Sequence, residues 1–171
     1  MLIATENSII NISSISVNNS FALKGGVIST EDSDLNMANS TFGFSNTSSQ
    51  GGHLYLKKSN VYLRNMTLSN GNSLTAGSIY GELVTLDFKD LKILNCSCDL
   101  KKGLGIVHLI GSDDRSKFEN FLCQGNQAMT GTCIFAKDIK LDVVNSMFER
   151  NKVRRKKFFF VMRVLVNEGF S

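Results

Sequence analysis

The chain has 171 residues, of which 42% are hydrophobic and 20% charged, and its formal net charge is +4. This length suits one domain or a piece of a larger one, and the composition is that of a folded chain. Residues 152–171 hold six of the basic side chains and one acid, so the remainder is close to neutral, which excludes a broad basic face for nucleic acid.

In chain order, Met1-Leu2-Ile3-Ala4-Thr5-Glu6 has neither a basic lead nor a long apolar core, so it does not read as a signal peptide. A degenerate phrase follows, Ile10-x-Ile12-x-Ser14-x-x-Val17. Then comes a glycine phrase, Gly25-Gly26-Val27-Ile28-Ser29, which returns as Gly51-Gly52-His53-Leu54-Tyr55 and Ala76-Gly77-Ser78-Ile79-Tyr80. Weaker copies are Leu104-Gly105-Ile106-Val107-His108 and Gly131-Thr132-Cys133-Ile134-Phe135. Between them runs a second phrase, apolar-x-apolar-x-Asn-x-x-apolar, as in Leu35-x-Met37-x-Asn39-x-x-Phe42 and Val61-x-Leu63-x-Asn65-x-x-Leu68. Its Asn position is filled by Asn39, Asn65, Asp90, Asn120 and Asn145. The wider gap from Asp90 to Asn120 marks an insertion near Gly111-Ser112-Asp113-Asp114-Arg115.

A period of 25–28 residues is the signature of a stacked repeat. Within each phrase the apolar residues alternate at period two, which is strand spacing, and no helical stripe is sustained over 7–151. The expected fold is therefore all-β: a right-handed parallel β-helix solenoid of about six coils over 7–151, with a non-repeat basic and apolar tail at 152–171. Stacking places Ile28, Leu54, Ile79, Val107 and Ile134 in one interior column, and Phe42, Leu68, Ile93, Cys123 and Phe148 in another. The Asn positions are expected to form an interior amide ladder. Gly25, Gly26, Gly51, Gly52, Gly77, Gly105 and Gly131 are expected to allow a tight corner and a close approach.

Several residues are candidates for function. Tyr55, Tyr80, His108 and Phe135 follow the interior column by one residue, so they face outward as a strip that either takes a sugar or partner strand or packs on itself. Six N-x-S/T sequons occur, at Asn11, Asn18, Asn39, Asn46, Asn65 and Asn95, with Asn46 the best acceptor because the ladder encloses Asn39 and Asn65. Asp113-Asp114-Arg115 joins acid and base in the insertion, with Asp87 and Asp90 the nearest further acids. Hydrolysis needs a matched carboxylate pair, and a solvated turn explains this cluster more simply. His53 and His108 lie in different columns and read as separate packing or surface groups, so no metal site and no cofactor is expected. The four cysteines, Cys96, Cys98, Cys123 and Cys133, read as small apolar core residues. The tail, Lys152 to Val166, reads as a cap, as a weak membrane-surface contact, or as the cut end of a longer scaffold, and the last is favoured.

The glycine phrases, with Phe148-Glu149-Arg150-Asn151, resemble the GGA[IL] and FxxN repeats of the polymorphic outer-membrane protein family, within the pectin-lyase-like parallel β-helices. Phe42-Gly43-Phe44-Ser45-Asn46 and Cys123-Gln124-Gly125-Asn126 are imperfect copies of the second motif. The resemblance implies a non-enzymatic surface or secreted scaffold that adheres or displays, at the cell surface or outside it. The sequons suit a glycoprotein, and the expected ligand is a protein or a carbohydrate. The alternatives are a carbohydrate-active β-helix enzyme, of lyase or hydrolase type, and a leucine-rich-repeat binding module.

Overall fold

The computed structural model describes residues 3–99 and 103–153. Among these residues every regular element is a β-strand and every strand pairing is parallel. The chain winds as a β-solenoid of about six coils, each passing along three walls. The first wall carries Ile3–Glu6, Ile28–Glu31, Leu54–Lys57 and Ala76–Glu82. The second carries Ile9–Ser13, Asp34–Gly43, Asn60–Ser69 and Thr85–Leu94, the last three bending part way along. Gly105–Glu119 and Gly131–Val144 run from the first wall into the second without a break. Short strands form the third wall, from Phe21–Lys24 through Asn46–Gln50 to Lys152–Val153. The first two walls make a 13-stranded sheet and the third a 6-stranded sheet. Three all-β walls per coil, with no helix among the described residues, set aside the leucine-rich-repeat alternative.

Register is what turns short strands into a core. Ile28, Leu54, Ile79, Val107 and Ile134 pair in one row, and Phe42, Leu68, Ile93, Cys123 and Phe148 in another, as the phrases require. The phenyl rings of Phe88 and Phe118, stacked at 4.7 Å, show the same one-coil offset. Each such fully buried side chain contributes about 1.5–3 kcal/mol, and a single coil has no facing surface on which to collect it. The insertion also falls where expected: pairing along Gly105–Glu119 shifts between Ser112 and Arg115. Regular pairing includes Ile3–Glu6 and Lys152–Val153, beyond the 7–151 that the phrases mark. The rest of the expected tail, 154–171, lies outside the described residues, and with it the cap and membrane-contact readings of 152–166.

The corners explain the asparagines differently from the expectation. Each coil turns three times through a residue with φ near +50°: Asp32, Asn39 and Phe44 in the second coil, Lys58, Asn65 and Asn70 in the third. Asn tolerates this left-handed region better than most residues. Such a residue points outward, so Asn39, Asn65, Asp90, Asn120 and Asn145 form an exposed column, not an interior one. Neighbours along it still bond: Asn65 Nδ2 donates to Asn39 Oδ1 at 2.8 Å, and Asn120 Nδ2 to Asp90 Oδ1 at 2.9 Å. The residue after a corner points in, and at several corners its N–H is turned away from the backbone ladder and finds its acceptor on a side chain of the next coil. Ile15 N–H donates to Ser40 Oγ at 3.1 Å, Phe121 N–H to Ser146 Oγ at 3.1 Å, and Cys96 N–H to Asn126 Oδ1 at 2.8 Å. Those serines donate in turn to a carbonyl two residues back, as Ser40 does to Ala38 and Ser146 to Val144. The interior therefore holds polar ladders of Ser and Asn that satisfy backbone groups.

The two glycines of the phrase have separate roles. Gly25 and Gly51 adopt φ of 56° and 67°. Gly26 and Gly52 instead allow contact between coils, since a Cβ on Gly26 would lie 2.2 Å from the Gly52 carbonyl oxygen and one on Gly52 2.1 Å from that of Gly77. Gly77, Gly105 and Gly131 continue this close approach, with neighbouring carbonyl oxygens 2.6–3.0 Å from an added Cβ at the first two.

The reading of all four cysteines as unpaired core residues is corrected for two of them. Cys123 and Cys133 form a disulfide with Cα atoms 6.1 Å apart, while Cys96 and Cys98 are free and buried. The two bridged residues sit on different walls of successive coils, the second wall of the fifth and the first wall of the sixth, and only the winding of the chain through the third wall brings them together. On native protein, alkylation after unfolding without reductant is expected at Cys96 and Cys98 alone. Removing the bridge by Cys133→Ala is expected to cost about 2–3 kcal/mol in urea unfolding. The register itself predicts that Phe88→Ala costs about 3–5 kcal/mol, whereas Tyr62→Ala, exposed on the neighbouring strand, costs under about 1 kcal/mol.

Candidate functional site

The outward strip lies along the first wall, one residue past the buried row. Ser29, Tyr55, Tyr80, His108 and Phe135 pair in register across five coils. Tyr55 and Tyr80 stack with centroids 5.5 Å apart and planes 3° from parallel. His108 meets Tyr80 edge-on at 5.3 Å and Phe135 edge-on at 4.8 Å. The strip is on the side of the sheet away from the main core, yet Tyr55, Tyr80 and His108 are buried. The rings cover one another, and Lys24 Nζ sits 4.5 Å over the Tyr55 ring and donates to its hydroxyl at 3.3 Å. Burial first, then Glu82, raises the Tyr80 hydroxyl above its ordinary value. This arrangement is that of a self-packed aromatic stack, with little ring surface left for a sugar. His108 is its odd member. It is 3% exposed, and neither ring nitrogen has a hydrogen-bond partner among the described residues.

The charged groups gather on the second wall. Asp87, Lys117 and Asp142 pair in one outward row, an acid, a base and an acid on successive coils. Arg64 bridges Asp87 at 2.5 Å, Arg115 bridges Asp142 at 3.1 Å, and Lys117 bridges Glu119 at 2.7 Å. The Lys117 hydrogen bond holds the Glu119 carboxyl below its usual range, and the same bond raises Lys117. Asp114 accepts a hydrogen bond from the Thr85 hydroxyl at 3.3 Å, and the side chain of Asp113 lies outside the described set. Asp90 is taken up by the corner column through Asn120. Of the acids and bases that the insertion suggested, Asp87 and Arg115 are thus members of cross-coil ion pairs, while Asp114 and Asp90 accept hydrogen bonds from neutral side chains of neighbouring coils. Exposed pairs of this kind contribute little stability each, but they fix which charges face solvent.

A second group of reactive side chains lies inside the solenoid. His53 is fully buried: its Nε2–H donates to the Ser69 carbonyl at 3.1 Å, so Nδ1 accepts from the Ser78 hydroxyl at 3.0 Å. Ser78 also bonds Cys96, whose thiol takes a backbone N–H from Gly71 at 3.3 Å. A His–Ser–Cys chain of this sort suggests nucleophilic chemistry, but burial decides otherwise. Desolvation pushes the Cys96 thiol up to about 12 and the Cys98 thiol up to about 11, so neither supplies a thiolate near neutrality. The same burial holds His53 neutral down to about 4. The network is a polar seam of the core, and Gly71 leaves room for it, since a Cβ there would lie 2.4 Å from the His53 ring. Sequence reasoning missed this seam; the signal was that His53 occupies the inward position held by Val27 in the preceding phrase.

Two depressions open on the surface of the described residues. One, of about 330 Å³, opens at the last coil against Cys133, Ile134 and Phe148. The other, of about 440 Å³, is polar and follows the first corner past Asn7, Asp32 and Lys58. No group of three or more His, Cys, Asp or Glu among the described residues is placed to hold a metal ion. No helix among them is long and apolar enough to cross a membrane. Comparison with known protein families, with curated proteins and with solved structures finds no match.

Burial of the two imidazoles makes a pH prediction. His53 and His108 both have folded values near 4, below the unfolded 6.5. Between these limits the unfolded chain binds more protons, so stability is complete above about pH 7 and falls as pH drops through the window. Each imidazole contributes on the order of 3 kcal/mol to that loss. Urea midpoints at pH 7.5 and pH 5 are expected to show it. His108→Phe fits the ring stack, removes two unsatisfied nitrogens, and is expected to stabilise by about 1–3 kcal/mol while flattening part of the pH slope.

Proposed function

We propose that this chain is a non-enzymatic surface or secreted repeat scaffold that binds a protein or carbohydrate ligand through its outer walls, in adhesion or display. The observation that carries this reading is the division of each coil. Inward positions keep their apolar or small polar character from coil to coil, while the outward row of the second wall changes along the stack, as in Asn11, Asn36, Tyr62, Asp87, Lys117 and Asp142. A stack built in this way presents a long, varied face on a constant frame. The Cys123–Cys133 bridge supports an oxidising compartment, at the cell surface or outside it. The likeness of the glycine phrases to polymorphic outer-membrane protein repeats supports the same reading.

One observation favours a second reading. Asp87, Lys117 and Asp142 align across three coils, a spacing that a polysaccharide chain can follow, and a carbohydrate-active enzyme would use that row. Incubation with acidic and neutral polysaccharides separates the two. The scaffold reading expects no new reducing ends and no unsaturated products, and retention of some polysaccharides or cell-surface extracts on immobilised protein. Cleavage that disappears in Asp87→Asn or Asp114→Ala would establish the enzyme instead.

A further inference from the structure

We propose that Asn46 is an N-glycosylation site whose first sugar packs against the rings of Phe44 and Phe21. The sequon is Asn46-Thr47-Ser48 at the start of the strand Asn46–Gln50, with Asn46 and Ser48 outward and Thr47 inward. Phe44 stands two residues earlier, held at the third corner by φ of 51° and 57% exposed. Phe21 pairs directly with Asn46 on the adjacent coil, on the same outward face, and is 71% exposed. Two large aromatic surfaces thus flank one carboxamide. A ring face is the surface that the apolar C–H side of a pyranose covers, and such contact removes apolar area from water on both sides.

The other sequons lack this setting. Asn39 and Asn65 bond to each other along the exposed corner column, and Asn11 accepts a hydrogen bond from Asn36 at 3.0 Å. The carboxamides of Asn18 and Asn95 lie close over Gly43 and Gly125 of the next coil. None of these asparagines has an aromatic residue two positions before it.

The chemistry is group transfer from a polyprenyl-pyrophosphate-linked oligosaccharide, the lumenal donor of the secretory route. Asn46 Nδ2 attacks C1 of the terminal N-acetylglucosamine. The N–C1 bond forms, the bond from C1 to the pyrophosphate oxygen breaks, polyprenyl pyrophosphate leaves, and Nδ2 gives up one proton. Transfer takes place on the extended chain, and folding then seats the sugar between the rings.

The site rests on the extracellular reading, and a supplied leader separates the two tests. The full chain is expressed behind a secretion leader in eukaryotic cells, and the lumenal, protease-protected product is treated with peptide-N-glycosidase in ¹⁸O-water. Peptide mass spectrometry is expected to find ¹⁸O-labelled Asp at position 46, with no label there in Asn46→Gln. Trimming the glycan to nothing is expected to lower the melting temperature by about 2–4 °C, a shift absent in the Phe21→Ser, Phe44→Ser double variant. An unlabelled Asn46 in protected chain overturns the site. No melting shift on trimming, or an equal shift with and without the two rings, overturns the packing. Where the protein resides without the added leader is read separately, by tagging the native chain.

Discussion

Everything in this molecule depends on one constraint: each coil must lie on the previous one in parallel and in register. A row of backbone hydrogen bonds fixes the vertical spacing, and identical inward positions then meet their own kind in the next coil. Turning the chain three times per coil threatens that stack, because at several corners the residue after the left-handed one turns its N–H away from the ladder. The molecule answers with polar side chains at the inward position that follows. Ser40, Ser146, Asn126 and Asn151 accept the displaced N–H groups, so a core of Leu, Ile and Phe is edged by short polar ladders. Glycines solve the opposite problem, where two coils come too close for any side chain.

The same constraint divides the surface into parts with different freedom. The first wall carries its aromatic strip, but the rings stack on one another and leave little to bind. The second wall carries the charges, tied across coils in pairs. The third wall has the shortest strands, and it exposes Phe21, Leu23 and Phe44. Binding energy is available where apolar area is exposed or where ion pairs can be exchanged for a ligand's charges, so the proposed binding reading looks to the second and third walls rather than to the self-packed first.

The sequence made the apolar rows legible residue by residue, because period-two alternation within a strand and a fixed coil length leave no freedom in Ile28–Leu54–Ile79 or Phe42–Leu68–Ile93. It also located the insertion before Asn120. It did not show that Asn39 and Asn65 face out. A left-handed residue breaks the alternation, so counting through it in steps of two assigns the wrong side. The burial of Tyr55 and His108 was hidden for another reason: alternation tells which side of the sheet a residue is on, not what covers it. Cys123 and Cys133 sit in different phrases, and nothing in either phrase says that their walls face each other across the interior of the solenoid. His53 reads as a packing or surface group until its phrase is aligned with Val27, and its partners lie apart in sequence, Ser69 across its own coil and Ser78 on the next.

Nuclear Overhauser contacts in isotopically labelled protein report the in-register parallel stack itself. Such a stack gives contacts between the Leu63 methyls and the Phe88 ring, between the Phe88 and Phe118 rings, and between Phe118 and the Val143 methyls, with none from Phe88 to Tyr62. Contacts that place Phe88 beside Tyr62, or strand-to-strand patterns of antiparallel pairing, would contradict it.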